Sequence, residues 1–201
     1  MSAMSFLNDP DTSDEVQRLF DSDVADLGYV MNLTKLWAYQ PELHDGLSDL
    51  IRETASAHGL TVRQRGILIA AFASTYGDSY CSLAWGKKLA EVSDQQTAAG
   101  VLRGADEGLK SSEAALAAWA RKVARDPNHT TQADVQALRE AGYSDAEIFG
   151  ITVFVALRMA FSTVNDALGA RPDAALRSSA PPSVVEAVTY GRPVEDETAG
   201  S

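Results

Sequence analysis

Two stretches of this chain are apolar on every side when drawn as helices, and they constrain its fold more than any other feature. Ile67-Leu68-Ile69-Ala70-Ala71-Phe72-Ala73 has no polar face, and neither has most of the run from Ile148 to Phe161. A helix of that kind must be surrounded, by other helices or by a second subunit. No run alternates polar and apolar residues between hairpin turns, so strands are not expected. The fold class is therefore all-α, with an apolar helix pair at the centre and amphipathic helices outside it. A chain of 201 residues buries about 70% of its unfolded surface, enough for a single core. Hiding two such helices completely is hard for a monomer of that size, so a homo-oligomer is expected.

Helix boundaries are written locally. Thr12/Glu15, Thr61/Gln64, Ser93/Gln96, Thr131/Asp134 and Ser144/Glu147 have the spacing in which a side chain and the backbone three residues away satisfy each other. Gly59, Gly104, Pro127, Gly142 and Gly169 follow as stop signals. Together these predict helices near 13–26, 31–39, 41–58, 61–76, 79–91, 94–103, 111–125, 132–141 and 144–168. Residues 1–170 form one domain on this reading. Residues 171–201 form a C-terminal arm with a short helix near 182–189 and a loose end after Val194. Alternatively the arm lies over a neighbouring subunit, with Tyr190 and Val194 as anchors.

Charge narrows the function. Lys and Arg total 17 against 28 Asp and Glu, a net charge of −11. Phosphate backbones and anionic membranes call for basic patches, so neither nucleic acid nor a membrane surface is an expected partner. The uncharged apolar run from Phe149 to Leu157 is far shorter than the roughly 18 residues a membrane span needs. The N-terminal residues do not read as a secretory signal. One cysteine, Cys81, excludes an intrachain disulfide and a Cys-rich zinc site, and fits a reducing, cytoplasmic setting. His44, His58 and His129 lack metal-ligand spacing, so no metal is expected, and no cofactor motif occurs.

The chemistry concentrates in Leu60–Leu89, where a buried helix leads through Tyr76-Gly77-Asp78 into a second helix opening Ser79-Tyr80-Cys81. Asp78 is placed to cap that helix, with Cys81 in its first turn. The free N–H groups and the dipole there favour a thiolate, whereas the neighbouring Asp78 carboxylate opposes one. Asp78, Cys81 and Trp85 share one helix face.

This segment resembles the alkylhydroperoxidase D-like or carboxymuconolactone decarboxylase family, in its longer peroxidase-related branch. Leu27-Gly28-Tyr29-Val30-Met31-Asn32, Pro41-Glu42-Leu43, Leu60-Thr61-Val62-Arg63-Gln64-Arg65 and Phe161–Gly169 carry the likeness, which covers roughly residues 20–192. The resemblance implies an alkylhydroperoxidase D-like helical bundle assembled as a homotrimer or a dimer of trimers. It also implies oxidoreductase chemistry through the pattern E-x11-C-x2-C-x3-H. This sequence keeps the register and loses the chemistry. With Cys81 as the second cysteine, the Glu position holds Gly66, the first Cys position Asp78 and the His position Trp85. A dithiol cycle within one chain needs two sulfurs.

Each residue then has two readings. Cys81 is first a small apolar residue in a packed helix, and alternatively a single thiol with weak peroxide chemistry resolved by an external thiol. Asp78 is first a helix cap and alternatively a general acid/base. Trp85 is first core filling and alternatively the roof of a pocket with Gly66, Tyr80 and Arg158. Arg158, the lone charge between Phe149 and Phe161, pairs with Asp78, Asp166 or an acid across an interface, or else holds a substrate carboxylate. The functional expectations are three: a divergent family member with at most single-thiol chemistry at Cys81, a non-redox site for a small apolar or carboxylate ligand, or a non-catalytic oligomer.

Overall fold

The apolar run 66–73 becomes the axis of the molecule. The structure, a computed structural model, describes residues 5–196. Eleven α-helices and a short 3-10 turn at Pro127–His129 account for its regular structure, and the described residues contain no strand. The helices are α1 (Asp14–Leu27), α2 (Asn32–Trp37), α3 (Pro41–Ala57), α4 (Val62–Tyr76), α5 (Ser79–Val92) and α6 (Gln95–Leu102). They continue as α7 (Ser111–Arg125), α8 (Gln132–Glu140), α9 (Asp145–Ala167), α10 (Ala174–Ser179) and α11 (Pro182–Ala187).

α4 starts where Thr61 and Gln64 close a capping box, with the Gln64 N–H donating to Thr61 Oγ1 at 3.2 Å and the Thr61 N–H to Gln64 Oε1 at 2.9 Å. It ends at Gly77, whose φ of 87° only glycine adopts without strain. Between these ends every residue from Gly66 to Ala73 is buried, because α5, α6, α7 and α9 pack around the helix. Arg63 ties α4 to α7 through both oxygens of Glu113, at 2.6 and 3.0 Å.

α9 is the second apolar helix and begins on the Ser144/Glu147 capping box. It lies against α3, α4 and α7, burying Ile148, Ile151, Phe154, Val155 and Phe161. Gly150 permits the α3 contact, since a Cβ there would sit 2.2 Å from the His58 ring. Phe149 stays 68% exposed. By length and composition alone α9 could cross a membrane, although the uncharged run inside it is short. The difference lies in Arg158 and the small polar residues, which break the uncharged run without lowering the helix's mean hydropathy much.

Residues 171–196 return across their own chain. Tyr190 donates to Ser82 Oγ at 3.0 Å, and Arg192 donates to the Asp166 carbonyl at 2.6 and 3.1 Å. The Glu195 carboxylate accepts from Asn32 Nδ2 and the Ala174 N–H. Val194 packs on the core, and most of the end expected to be loose after it, residues 197–201, lies outside the described residues. The sequence reading missed α10. It is only six residues long, and the Asp173 side chain before it does not cap it but accepts from the Asn32 N–H and the Tyr80 hydroxyl.

Candidate functional site

α5 begins at Asp78, which is fully buried and caps it by accepting the Cys81 N–H at 2.9 Å. The other carboxylate oxygen accepts the Ser162 hydroxyl of α9 at 2.5 Å. Ser162 also lies 3.5 Å from Cys81 Sγ. Asp78 thus does two structural jobs at once, on its own helix and across to α9.

Cys81 is 3% exposed. Burial first, and then the Asp78 charge, push its thiol up to about 12, while Arg158 and the Ser162 hydrogen bond pull the other way. The sulfur is therefore a protonated thiol at neutral pH. Arg158 Nη2 stands 3.2 Å from it.

Arg158 makes no ion pair with Asp78 or Asp166. Among the described residues its hydrogen-bond partner is the Cys81 sulfur, and its buried Nε has none. Two aromatic rings hold the guanidinium instead. Its carbon lies 5.5 Å from the centre of Trp85 and 5.1 Å from that of Phe161. Phe161 in turn stacks on Trp37 with ring centres 5.3 Å apart, and Trp37 Nε1 donates to Asn165 Oδ1 at 2.8 Å. Lys88, also on α5, reaches the Trp85 indole, 4.9 Å from its centre.

The remaining sequence candidates divide. Trp85 is half-buried, with the Arg158 guanidinium over its ring. Gly66 lines the contact between α4 and α5: a Cβ there would meet Leu89 Cβ at 3.1 Å, so this position lets Leu89 close in. Tyr80 turns elsewhere, its buried hydroxyl donating to Asp173. Tyr76 is exposed and shares a hydrogen bond with Thr163 at 2.7 Å. Sequence reasoning missed Ser162 beside Cys81, Phe161 beside Arg158, Trp37 behind Phe161 and Lys88 over Trp85. For Ser162 and Phe161 the signal was helical spacing from Arg158, at i+4 and i+3. Trp37 comes from a distant helix, and no local pattern announces it.

This helical bundle, with its motif helices α4 and α5, is an alkylhydroperoxidase D-like fold. Among solved structures it is similar to the alkylhydroperoxidase AhpD core of an uncharacterized peroxidase-related protein from Ralstonia eutropha JMP134, at 21% identity and TM-score 0.72 over 97% of this chain and 100% of that one. An uncharacterized peroxidase-related protein from Silicibacter sp. TM1040 matches 86% of this chain and 94% of its own at 24% identity and TM-score 0.73. A cysteine-to-alanine form of the debrominase Bmp8 in complex with 2,3,4-tribromopyrrole matches 86% and 95% at 16% identity and TM-score 0.70. No protein-family model matches the chain, and no curated protein matches it significantly.

Proposed function

We propose that this chain is a divergent member of the alkylhydroperoxidase D-like family that handles a small ligand at the Cys81–Trp85–Arg158 face without a dithiol relay. The observation that carries this reading is Arg158. A guanidinium sandwiched by Trp85 and Phe161, with a buried Nε lacking a partner, gives a ligand both an aromatic wall and a charged donor. Asp78, where a first cysteine would stand, holds the helix and supplies no second sulfur. The debrominase of this fold, complexed with a halogenated pyrrole, supports a small-molecule site.

A second reading is single-thiol peroxide reduction, and the Arg158–Cys81 contact favours it, because that charge would stabilise a thiolate. The thiolate would attack the hydroperoxide, forming an S–O bond as the O–O bond breaks and the alcohol leaves. An external thiol would then reduce the sulfenic acid.

The test uses the purified chain and its Cys81→Ser form. Intrinsic tryptophan fluorescence and thermal shift follow aliphatic and aromatic monocarboxylates, and peroxide consumption is followed with an added thiol. The small-ligand reading expects saturable binding by both forms, and peroxide turnover that is slow or nil. Fast, Cys81-dependent turnover without saturable ligand binding overturns it in favour of the second reading.

We also propose that the chain assembles as a homotrimer or a dimer of trimers. The exposed apolar face of α9, with Phe149, Ala156 and Ala160, supports self-association.

A further inference from the structure

Phe161 is the middle of a stack of side chains drawn from two distant helices. The Arg158 guanidinium carbon lies 5.1 Å from its ring centre. Trp37, the last residue of α2, lies parallel to the same ring within 7°, with centres 5.3 Å apart. The Trp85 ring also reaches Arg158, at 5.5 Å, but Lys88 occupies that ring too, at 4.9 Å. Among the described residues Phe161 is thus the ring that Arg158 does not share with another cation. Arg158, Phe161 and Asn165 stand at i, i+3 and i+7, on one face of α9. Asn165 is fully buried, and its Oδ1 accepts the Trp37 indole N–H at 2.8 Å. An indole N–H can only donate, so this bond fixes which end of the amide faces Trp37 and which way the indole lies. The His44 ring is tilted against both partners of the stack, 6.0 Å from Trp37 and 6.4 Å from Phe161.

Each link restrains the next. An arginine side chain has many rotamers, and the Cys81 sulfur that Arg158 meets at 3.2 Å is a weak acceptor. The ring faces are the stronger restraint, because they attract a guanidinium electrostatically. A phenyl ring is itself loosely held about its last torsion. Trp37, lying flat against Phe161, selects one orientation of that ring. Asn165 in turn stops the indole from turning away. The restraint therefore runs from Asn165 to Trp37, to Phe161 and finally to the charge.

We infer that Trp37 and Asn165 are positioning residues for the Arg158 guanidinium, acting on it through the Phe161 ring. The inference rests on the small-ligand reading for the use made of that charge, and on the stack alone for where the charge lies.

The experiment is arginine-selective 15N NMR of the full chain, read at the Arg158 Nε–H. That group is buried, so its proton exchanges slowly enough to be seen, and Arg158→Lys identifies the signal by removing it. A proton held over a ring face is shifted upfield, which a merely structural change elsewhere does not alter. The parent signal is expected upfield of an ordinary arginine. Trp37→Leu removes both the stack and the hydrogen bond, and should return the signal toward the ordinary position. Trp37→Phe keeps a ring but loses the bond, and Asn165→Leu loses only the bond, so both should move it part of the way. Leu116→Ala, buried on α7, should lower the melting temperature and leave the signal in place. Benzoate binding should weaken about ten-fold in Trp37→Leu, the scale of one displaced charge contact. A signal that Trp37→Leu leaves in place, or that Leu116→Ala displaces as far, overturns the inference. Equal displacement by Trp37→Phe and Trp37→Leu overturns the part given to stacking, and no displacement by Asn165→Leu overturns the part given to Asn165. If Trp37→Leu does not fold, Trp37→Phe and Asn165→Leu decide in its place, and a signal unmoved in both overturns the inference. A displaced signal in a protein whose parent does not bind benzoate upholds the inference and removes the small-ligand reading.

Discussion

Replacing Asp78 with Asn separates the two things its carboxylate does. The amide keeps an acceptor for the Cys81 N–H, and its NH2 meets the Ser162 hydroxyl, which rotates to accept. The helix cap therefore survives, and stability should change little. What disappears is a negative charge beside a buried thiol. Unit charges about 4 Å apart interact by about 4 kcal/mol at an effective dielectric near 20. That is about 3 pKa units at about 1.36 kcal/mol each. Burial, the larger cause of the raised thiol value, is untouched, so the expected fall is about one to three units from about 12. Because Cys81 is the only cysteine, iodoacetamide alkylation against pH reports its midpoint alone, whereas ultraviolet absorbance would overlap the six ionising tyrosines. Arg158→Gln should move the midpoint the opposite way, since that charge stabilises the thiolate. An Asp78→Asn titration superimposable on the parent, or displaced upward, with the melting temperature preserved, would refute the electrostatic account of this site.

Other consequences follow from the packing and the acids. Gly150→Ala drives a methyl into the His58 ring and should cost about 1–3 kcal/mol in denaturant unfolding, unless α3 shifts away. Asp166, half-buried near Asp78, has its carboxyl pushed up to about 7 by burial and then by Asp78, with Arg192 opposing. The folded state holds this proton more tightly than the unfolded chain, so stability falls as pH rises from about 4 to about 7. Asp166→Asn removes that decline: denaturation midpoints should match the parent near the lower limit and exceed it above the upper one. Phe149→Asp places a charge on the exposed face of α9, and light scattering coupled to gel filtration should report a smaller particle than the parent.

The fold was legible because its rules are local. Capping boxes at Thr61, Thr131 and Ser144 mark the starts of α4, α8 and α9, and the apolar runs mark which helices lie inside. α10 was not legible because six residues are too short for a periodic pattern, and its Asp173 is held by Tyr80 and the Asn32 N–H, contacts from far away in sequence. The site was half legible. Spacing on one helix brings Asp78, Cys81 and Trp85 together, and the lone charge on α9 pointed to Arg158. Which group Arg158 faces depends on how α9 packs on α5, and no pattern within α9 states that. The sequence offered it Asp78, Asp166 or an acid across an interface, and the Asp78 carboxylate is spent on the Cys81 N–H and the Ser162 hydroxyl.

At the positions where the resemblance would place a relay, the residues present make physical sense together more than singly. Gly66 in place of a glutamate lets Leu89 approach to van der Waals contact, closing the room that an acid side chain would need. Asp78 in place of a thiol keeps the helix cap, and its charge raises the neighbouring sulfur. Trp85 in place of a histidine gives Arg158 and Lys88 a ring to lie against. Arg158 lies against two rings with its buried Nε unspent, and that arrangement is what the small-ligand proposal rests on.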